Sequence, residues 1–155
     1  MLSLIVALAA DGAIGKNGWM PWDIKEDLAL FKSLTLNHNL IMGSTTFLGL
    51  PKPLAKRHTY VITTRNDLPS YDNVTYINDF KSFLVQAQKA DQEYFVCGGA
   101  NIYRQALEFV DKLYLSHVKG TFEADTYFPK IDYDKFKVIK EVEYADFIFK
   151  EYQRK

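Results

Sequence analysis

The feature that most constrains the fold is the alternation of short apolar runs with amphipathic segments. The apolar runs are rich in β-branched residues and occupy 2–8, 39–43, 58–63, 73–77, 94–97 and 112–119. Segments with helical spacing lie at 25–36, 45–50, 79–89 and 100–107. Strands that alternate with helices form parallel sheets. The sequence therefore predicts an α/β protein with a mostly parallel central sheet flanked by helices.

The C-terminal part departs from this alternation. Residues 136–143 and 147–153 both have strand character and are separated by a short turn. This pattern predicts an antiparallel hairpin at one edge of the sheet. The 155 residues contain no repeat, linker or charge block, so a single domain is expected over 1–155.

Charge and cysteine content exclude several classes of protein. The 19 Lys and Arg balance 19 Asp and Glu without a basic stripe, which argues against nucleic-acid and membrane-surface binding. A single cysteine, Cys97, allows no internal disulfide, so a reducing cytoplasmic location is expected. The N-terminal apolar stretch stops at Asp11 and lacks a basic start, and is predicted to be a strand rather than a signal peptide. The histidines show no metal-ligand spacing, so no metal is expected.

Two turns from a strand into a helix could bind phosphate. Gly98-Gly99 follows one apolar run and Gly43-Ser44-Thr45-Thr46 follows another. Glycines allow close backbone approach, and a helix N-terminus attracts anions. Each turn has an alternative interpretation, a tight connection in the first and an ordinary Ser/Thr N-cap in the second. Because ligands bind at the carboxyl ends of parallel strands, the pair favours a dinucleotide across both turns.

Asp27 and the loop before it are the next candidates. Asp23 and Glu26 form a capping-box pattern at the start of a helix, which leaves Asp27 beside Leu28 and Phe31 on one face. Asp27 could complement the helix dipole or grip a flat heterocycle from an apolar pocket. The glycine-rich loop 12–22 contains two tryptophans and Met20, which is typical of a lid, although the aromatic rings could also enter the core.

Taken together, these segments resemble the dihydrofolate reductase family over nearly the whole chain. The matching positions, in order, are 3–7, Ile14-Gly15, Met20-Pro21-Trp22, Asp27-Leu28, Phe31-Lys32, Thr35, Ile41-Met42-Gly43, Thr46, Pro53-Leu54, Arg57, Gly98-Gly99, Ile102-Tyr103, Asp125-Thr126 and Phe128-Pro129. The resemblance implies NADPH-dependent reduction of 7,8-dihydrofolate to tetrahydrofolate in one-carbon metabolism. It also implies competition by antifolates such as methotrexate or trimethoprim, and a monomer.

The resemblance also implies roles for individual residues. Asp27 would bind the pterin ring and favour protonation at N5, with Ser116 as its hydroxyl partner, Trp22 holding a water and Met20 closing the lid. The implied substrate pocket consists of Ile5, Val6, Ala7, Asp27, Leu28, Phe31, Leu50, Leu54, Arg57 and Ser116. Arg57, which on sequence grounds alone reads as an exposed arginine, would clamp the glutamate α-carboxylate.

The implied cofactor site departs from the family pattern. It consists of Ala7, Ile14, Gly15, Gly43, Ser44, Thr45, Thr46, Thr63, Thr64, Arg65, Cys97, Gly98, Gly99, Ala100, Asn101, Ile102, Tyr103 and Thr126. Ser44 and Asn101 stand where the family commonly has arginines that meet the phosphates of NADPH. We expect Arg65 to supply the compensating charge. Ala100 replaces the usual third glycine and is expected to keep the helix start.

Two alternatives remain at this point. One is a reductase of another flat heterocycle with the same fold, such as a pyrimidine reductase of riboflavin synthesis. The other is a noncatalytic NADP-binding module. The combination of Asp27, Phe31 and Arg57 favours folate over the first, and the lid and acid favour an enzyme over the second.

Overall fold

The computed structural model describes residues 1–155 as two sheets, four α-helices and a short 3₁₀ helix at Tyr133–Lys135. The strands are β1 Leu2–Ala9, β2 Ala13–Gly15, β3 Asn39–Gly43, β4 His58–Ile62, β5 Val74–Ile77, β6 Tyr94–Val96, β7 Lys112–Val118, β8 Thr126–Tyr127, β9 Phe136–Glu143 and β10 Phe147–Arg154. The helices are α1 Lys25–Thr35, α2 Ser44–Leu48, α3 Phe80–Lys89 and α4 Ala100–Ala106.

The main sheet has the strand order β5-β4-β3-β6-β1-β7-β10-β9. Its first six strands run parallel, and β10 and β9 add an antiparallel hairpin at the edge. The predicted fold class is therefore confirmed. Because the six parallel strands run in the same direction, the turns after β6, β3 and β4 all lie at the carboxyl ends of the strands, on one side of the sheet.

The two faces of the sheet pack against separate hydrophobic clusters. Neighbouring residues of β3 alternate between them, with Ile41 in one cluster and Leu40 and Met42 in the other. This is the side-chain alternation of a pleated strand. Burial on both faces explains why the central strands read as continuous apolar runs rather than as alternating ones.

Two details of the fold differ from the sequence prediction. Helix α1 begins at Lys25 with Ile24 as its N-cap and no side-chain cap, so the predicted capping box at Asp23 is wrong. Ile24 is buried in the core, and its carbonyl oxygen accepts hydrogen bonds from the backbone nitrogens of Asp27 and Leu28 at 3.1 and 3.2 Å. Strands β2 and β8, which form the second small sheet, are three and two residues long and were not predicted. None of the four helices could span a membrane.

Candidate active site

A cleft of about 890 Å³ opens at the carboxyl edge of the parallel strands. Its walls are mostly apolar and come from β1, the lid loop, α1, and the turns after β3 and β6. In α/β proteins, ligands bind at the carboxyl ends of the parallel strands, where neighbouring strands connect to helices on opposite faces of the sheet. The position therefore agrees with the site predicted from the two glycine turns.

Most of the predicted site residues line this cleft. They are Ile5, Val6, Ala7, Ile14, Gly15, Met20, Asp27, Leu28, Phe31, Gly43, Ser44, Thr45, Thr46, Leu50, Cys97, Gly98, Gly99, Ala100, Asn101, Ile102, Tyr103, Ser116 and Thr126. Six predicted residues lie outside its lining: Trp22, Leu54, Arg57, Thr63, Thr64 and Arg65. Leu54 is half-buried and packs against the hydrophobic cluster on the Leu40 face.

Asp27 is the one charged side chain in the lining of the cleft, and it is only 9% exposed. Burial raises the pKa of its carboxyl above the usual value, and the hydroxyl of Ser116 opposes that shift as a hydrogen-bond partner. A first-turn acid that only complemented the helix dipole would sit in water. The burial of Asp27 beside Leu28 and Phe31 instead favours a carboxylate that binds a ligand.

The two glycine turns meet directly. The backbone nitrogen of Gly43 donates a hydrogen bond to the carbonyl oxygen of Gly98 at 2.9 Å. A Cβ atom on Gly43 would lie 3.1 Å from Cγ1 of Ile102, and one on Gly99 would lie 3.4 Å from Oγ1 of Thr46. Close packing between the turn and the Ile102 side chain thus favours glycine at position 43.

Glycines also occupy the N-caps of both helices. Gly43 is the N-cap of α2 and Gly99 that of α4, each without a side-chain cap. The interpretation of the turn at Gly43–Thr46 as an ordinary Ser/Thr N-cap is therefore wrong. The hydroxyls of Ser44, Thr45 and Thr46 are not used as caps, and all three residues line the cleft.

The loop before α1 combines both of its predicted roles. Trp19 and Met20 line the cleft and are 68% and 39% exposed, as expected of a lid. Trp22 is buried, with its ring 5.1 Å from that of Phe122 in an edge-on arrangement. The indole Nε1 of Trp22 has no hydrogen-bond partner within the protein, which leaves a buried donor for a water or a ligand.

A brace from the β8 region holds the lid. The carboxylate of Asp125 accepts a hydrogen bond from the backbone nitrogen of Asn17 at 2.9 Å. The backbone nitrogen of Asp125 donates to the carbonyl oxygen of Gly15, also at 2.9 Å. The hydrogen bond from Asn17 lowers the pKa of Asp125, so the brace is ionised at neutral pH. These two hydrogen bonds connect the Asp125 region to the Met20 loop.

Arg57 is buried, so its interpretation as an exposed arginine is wrong. Its Nε donates to the carbonyl oxygen of Ala55 at 3.0 Å and its Nη1 to Oγ1 of Thr35 at 3.2 Å. No acidic side chain pairs with it, and burial lowers its pKa. A buried cation without a carboxylate is suited to an anionic ligand group.

Thr63, Thr64 and Arg65 line a second, smaller cleft of about 360 Å³ beyond the ends of β4 and β5. Its other walls come from residues 76–79 and from the first turns of α3. The guanidinium of Arg65 contacts the carboxylate of Asp67 through two hydrogen bonds, from Nε at 3.0 Å and from Nη2 at 3.1 Å. The sequence prediction did not foresee this pairing.

Several lining residues of the main cleft were also missed. They are Gly18, Trp19, Leu30, Leu34, Gly49, Ile62 and Phe149. Trp19 could have been found from its place beside Met20 in the predicted lid. Phe149 comes from the C-terminal hairpin, and the alternation of β10 alone could have indicated its inward direction without showing what it faces.

An open α/β sheet with a ligand cleft and paired glycine turns at the carboxyl ends of its strands defines a nucleotide-binding α/β protein. A family model described as dihydrofolate reductase matches residues 1–154. The dihydrofolate reductase of Ureaplasma parvum is 36% identical over 156 residues, covering 100% of this chain and 98% of its own. That of Bacillus subtilis is 34% identical over 139 residues, covering 90% and 82%.

A solved structure of a dihydrofolate reductase is also similar to this chain. Dihydrofolate reductase from Enterococcus faecalis, complexed with NADP(H) and RAB-propyl, aligns with a TM-score of 0.89 at 31% identity, covering 99% of this chain and 96% of that one. The chain belongs to the dihydrofolate reductase family.

Proposed function

We propose that this chain catalyses the NADPH-dependent reduction of 7,8-dihydrofolate to 5,6,7,8-tetrahydrofolate, and that the main cleft is its active site. Membership of the dihydrofolate reductase family supports the reaction. The observation that carries the assignment of the site is Asp27, a buried carboxylate on an apolar wall of the cleft that also contains both glycine turns. Such a carboxylate suits a flat, nitrogen-rich ring and no larger charged group.

The residues of the cleft fit a dinucleotide. The turns at Gly43–Thr46 and Gly98–Ile102 would hold the phosphates through backbone N–H groups and hydroxyls, while Ala7, Ile14, Gly15, Cys97, Tyr103 and Thr126 would surround the nicotinamide end. When bound, NADPH supplies the hydride that moves from nicotinamide C4 to pterin C6. Thr63, Thr64 and Arg65 would contact the 2′-phosphate in the second cleft.

Asp27 binds and orients the pterin ring in this proposal. Its carboxylate accepts hydrogen bonds from the 2-amino and N3 groups, with the Ser116 hydroxyl beside it. The negative charge raises the basicity of the ring, which favours protonation at N5. Because Asp27 would hold the far side of the ring, the proton comes from water admitted near Met20, and the free Nε1 of Trp22 offers a binding point for an ordered water.

The apolar walls and the buried arginine complete the substrate site. Ile5, Val6, Leu28, Phe31 and Leu50 would form the pterin and benzoyl side of the cleft, and Leu54 packs against the same hydrophobic cluster as Ile5 and Leu50. Arg57 would bind the α-carboxylate of the glutamate tail with the N–H groups that Ala55 and Thr35 leave free. The lid at Met20 would exclude water during the hydride transfer.

The same site would bind antifolates such as methotrexate and trimethoprim, whose protonated diamino rings would pair with Asp27. A single domain over 1–155, a monomeric state and a cytoplasmic location stay predictions. Gel filtration coupled to light scattering would test the monomer.

The deciding experiment follows the near-ultraviolet absorbance of NADPH with dihydrofolate present, in parallel with NADH. Loss of absorbance that depends on dihydrofolate and is blocked by methotrexate supports the proposal. Turnover of a pyrimidine substrate of riboflavin synthesis, with none of dihydrofolate, would replace it with the reductase of another heterocycle. Tight NADPH binding without turnover of either substrate would indicate a noncatalytic binding module.

A further inference from the structure

The second cleft contains the one cationic side chain in the lining of either cleft. Neither the main cleft nor the second one is lined by any lysine or histidine, and Arg65 is the single arginine. NADPH carries a pyrophosphate and a 2′-phosphate, and the latter alone has a charge of about −1.5 to −2 at neutral pH. Selectivity for the 2′-phosphate over a hydroxyl therefore depends on how much of the charge of Arg65 is available.

The second cleft continues the main one along the same edge of the sheet. Ile62, the last residue of β4, lines the main cleft, and Thr63, the next residue, lines the second. In the order β5-β4-β3-β6, the ends of β6 and β5 lie about 14 Å apart, three strand spacings of about 4.8 Å. A dinucleotide whose pyrophosphate lies at the glycine turns can thus extend its adenosine toward Arg65.

Asp67 already uses two of the hydrogen-bond donors of the Arg65 guanidinium. Its carboxylate contacts the Nε–Nη2 edge of the guanidinium at 3.0 and 3.1 Å, while Nη1 and the second hydrogen of Nη2 remain for another acceptor. Asp67 does not line the cleft, so it contacts Arg65 from outside. The pairing raises the pKa of Arg65 and lowers that of Asp67, and both groups are charged at neutral pH.

The cleft supplies no other cation to balance Asp67. The one acidic side chain in its lining, Asp79, is the N-cap of α3 and accepts a hydrogen bond from the backbone nitrogen of Ser82 at 3.2 Å. Arg65, Asp67 and Asp79 together carry one net negative charge. A 2′-phosphate that approaches the free edge of Arg65 would share this cation with the carboxylate of Asp67, which weakens its attraction.

We propose that Asp67 is a specificity-determining residue that lowers the preference for NADPH over NADH by competing with the 2′-phosphate for Arg65. The proposal rests on the proposed function, because it requires the dinucleotide to bind across both clefts. Asp67 acts through Arg65 and touches no reacting atom. The chain would therefore discriminate less strongly between NADPH and NADH than an otherwise identical protein that lacks this acid.

The test measures dissociation constants of NADPH and NADH by the quenching of tryptophan fluorescence in the Asp67→Asn protein. Asparagine keeps the size and an oxygen acceptor for Arg65 but removes the charge. We expect NADPH to bind about threefold more tightly and NADH to be unchanged, because exposed ion pairs have modest energies. The gain should shrink at high ionic strength. The fragments 2′,5′-ADP and 5′-ADP should repeat the difference.

Three further variants separate charge from geometry. Asp67→Glu keeps the charge and should resemble the parent protein. Arg65→Met should weaken NADPH but not NADH, and in that background Asp67→Asn should have no effect. Glu143, in the C-terminal hairpin, forms another exposed ion pair, with Lys119 at 3.0 Å. Glu143→Gln removes this acid and should change the dissociation constant of neither NADPH nor NADH.

Other results would overturn the proposal. Weaker NADPH binding by Asp67→Asn would make Asp67 a residue that positions Arg65, and equal tightening of NADPH and NADH would remove the role of the 2′-phosphate. An unchanged NADPH constant would show that the pair lies away from the cofactor. A parent protein that does not oxidise NADPH with dihydrofolate would instead contradict the proposed function, so the two failures are distinguishable.

Discussion

The two clefts lie at the carboxyl ends of the same parallel strands, but their charged groups have opposite surroundings. The main cleft has apolar walls and a single carboxylate, Asp27, which is buried and has no cationic partner. The second cleft has polar walls and Arg65, which is half exposed and paired with the still more exposed Asp67. Burial raises the pKa of the Asp27 carboxyl in the first cleft, whereas hydrogen bonding to Arg65 lowers the pKa of Asp67 beside the second.

The difference shows that the surroundings decide what one charge can do. Water and salt screen the Arg65–Asp67 pair, so it can tune a binding preference by only a small factor. Asp27 is shielded from water, and its interaction with a ligand ring is correspondingly stronger. Changes to the buried groups should therefore have large effects on turnover, and changes to the exposed groups small effects on binding.

The largest effect is expected for Asp27→Asn. Turnover of dihydrofolate at neutral pH should fall about 100-fold or more, because the ring loses the charge that favours protonation at N5. Activity should recover in part as the pH falls, since the free substrate then becomes protonated without help. The measurement is the pH profile of kcat/KM. Glu26→Gln, in the same helical turn but exposed, is the matched control and should change little. A flat profile for Asp27→Asn would contradict the role given to this carboxylate.

The second effect concerns the buried arginine. Arg57→Leu should raise the KM for dihydrofolate about 10- to 100-fold, because charge-assisted hydrogen bonds to the tail carboxylate are lost. Dihydropteroate lacks the glutamate tail and should be turned over equally by both proteins, which separates lost binding from a damaged fold. Thr35→Val removes only the hydroxyl that accepts from Nη1 of Arg57, and its effect should be smaller. If Arg57→Leu impairs both substrates equally, the clamp is in doubt.

A third change would bring a cation to the main cleft. Ser44→Arg places a guanidinium at the start of α2, on the lining of the cleft, where the lining has no positive charge. NADPH should bind about tenfold more tightly, whereas the affinity for NADH should change much less, since the added guanidinium would reach the 2′-phosphate that NADH lacks. The comparison of both dissociation constants at low and high salt measures this. Ser44→Gln is the uncharged control of similar length. A gain that survives high salt would not be electrostatic.

The smallest effect is a change of stability with pH. The pKa of Asp27 is raised in the folded state, so the ionised carboxyl costs folding free energy above that pKa, and the cost disappears below the unfolded value near 3.8. Asp27→Asn should therefore melt above the parent protein at neutral pH, and the difference should vanish in acid. Each kcal/mol gained raises Tm by roughly 2 to 4 °C in a chain of this size. Calorimetry across the pH range measures the difference, and a parent protein that melts higher at neutral pH would contradict the sign.

Much of the fold could be predicted from local patterns. The six parallel strands and the C-terminal hairpin fall on runs of strand-forming residues that could be read directly, and α1 and α3 show helical spacing. The small β2–β8 sheet could not be predicted, because strands of three and two residues carry no period. The start of α1 was also missed, since it depends on the burial of Ile24 and not on the nearest capping residue.

The site could be predicted where it depends on residue type and could not where it depends on long-range contacts. The glycine turns and Asp27 stand next to the elements that position them, so their surroundings could be inferred. Arg57 is buried through a contact with Thr35, which is 22 residues away, and the sequence alone suggested an exposed side chain. Asp67 lies only two residues from Arg65, but loop geometry decides whether such neighbours meet.

The hydrogen bond between Gly43 and Gly98 has a consequence for the order of binding. It joins the two glycine turns through backbone that β3 and β6 already order, so this surface does not need a ligand to form. The lid at Trp19 and Met20 is exposed and held chiefly by the Asp125 brace. Binding at the turns costs the protein little conformational entropy, whereas a ligand that needs the lid must also order a loop. The fold thus favours a sequence in which the nucleotide arrives first and the lid closes over a cleft that is already half filled.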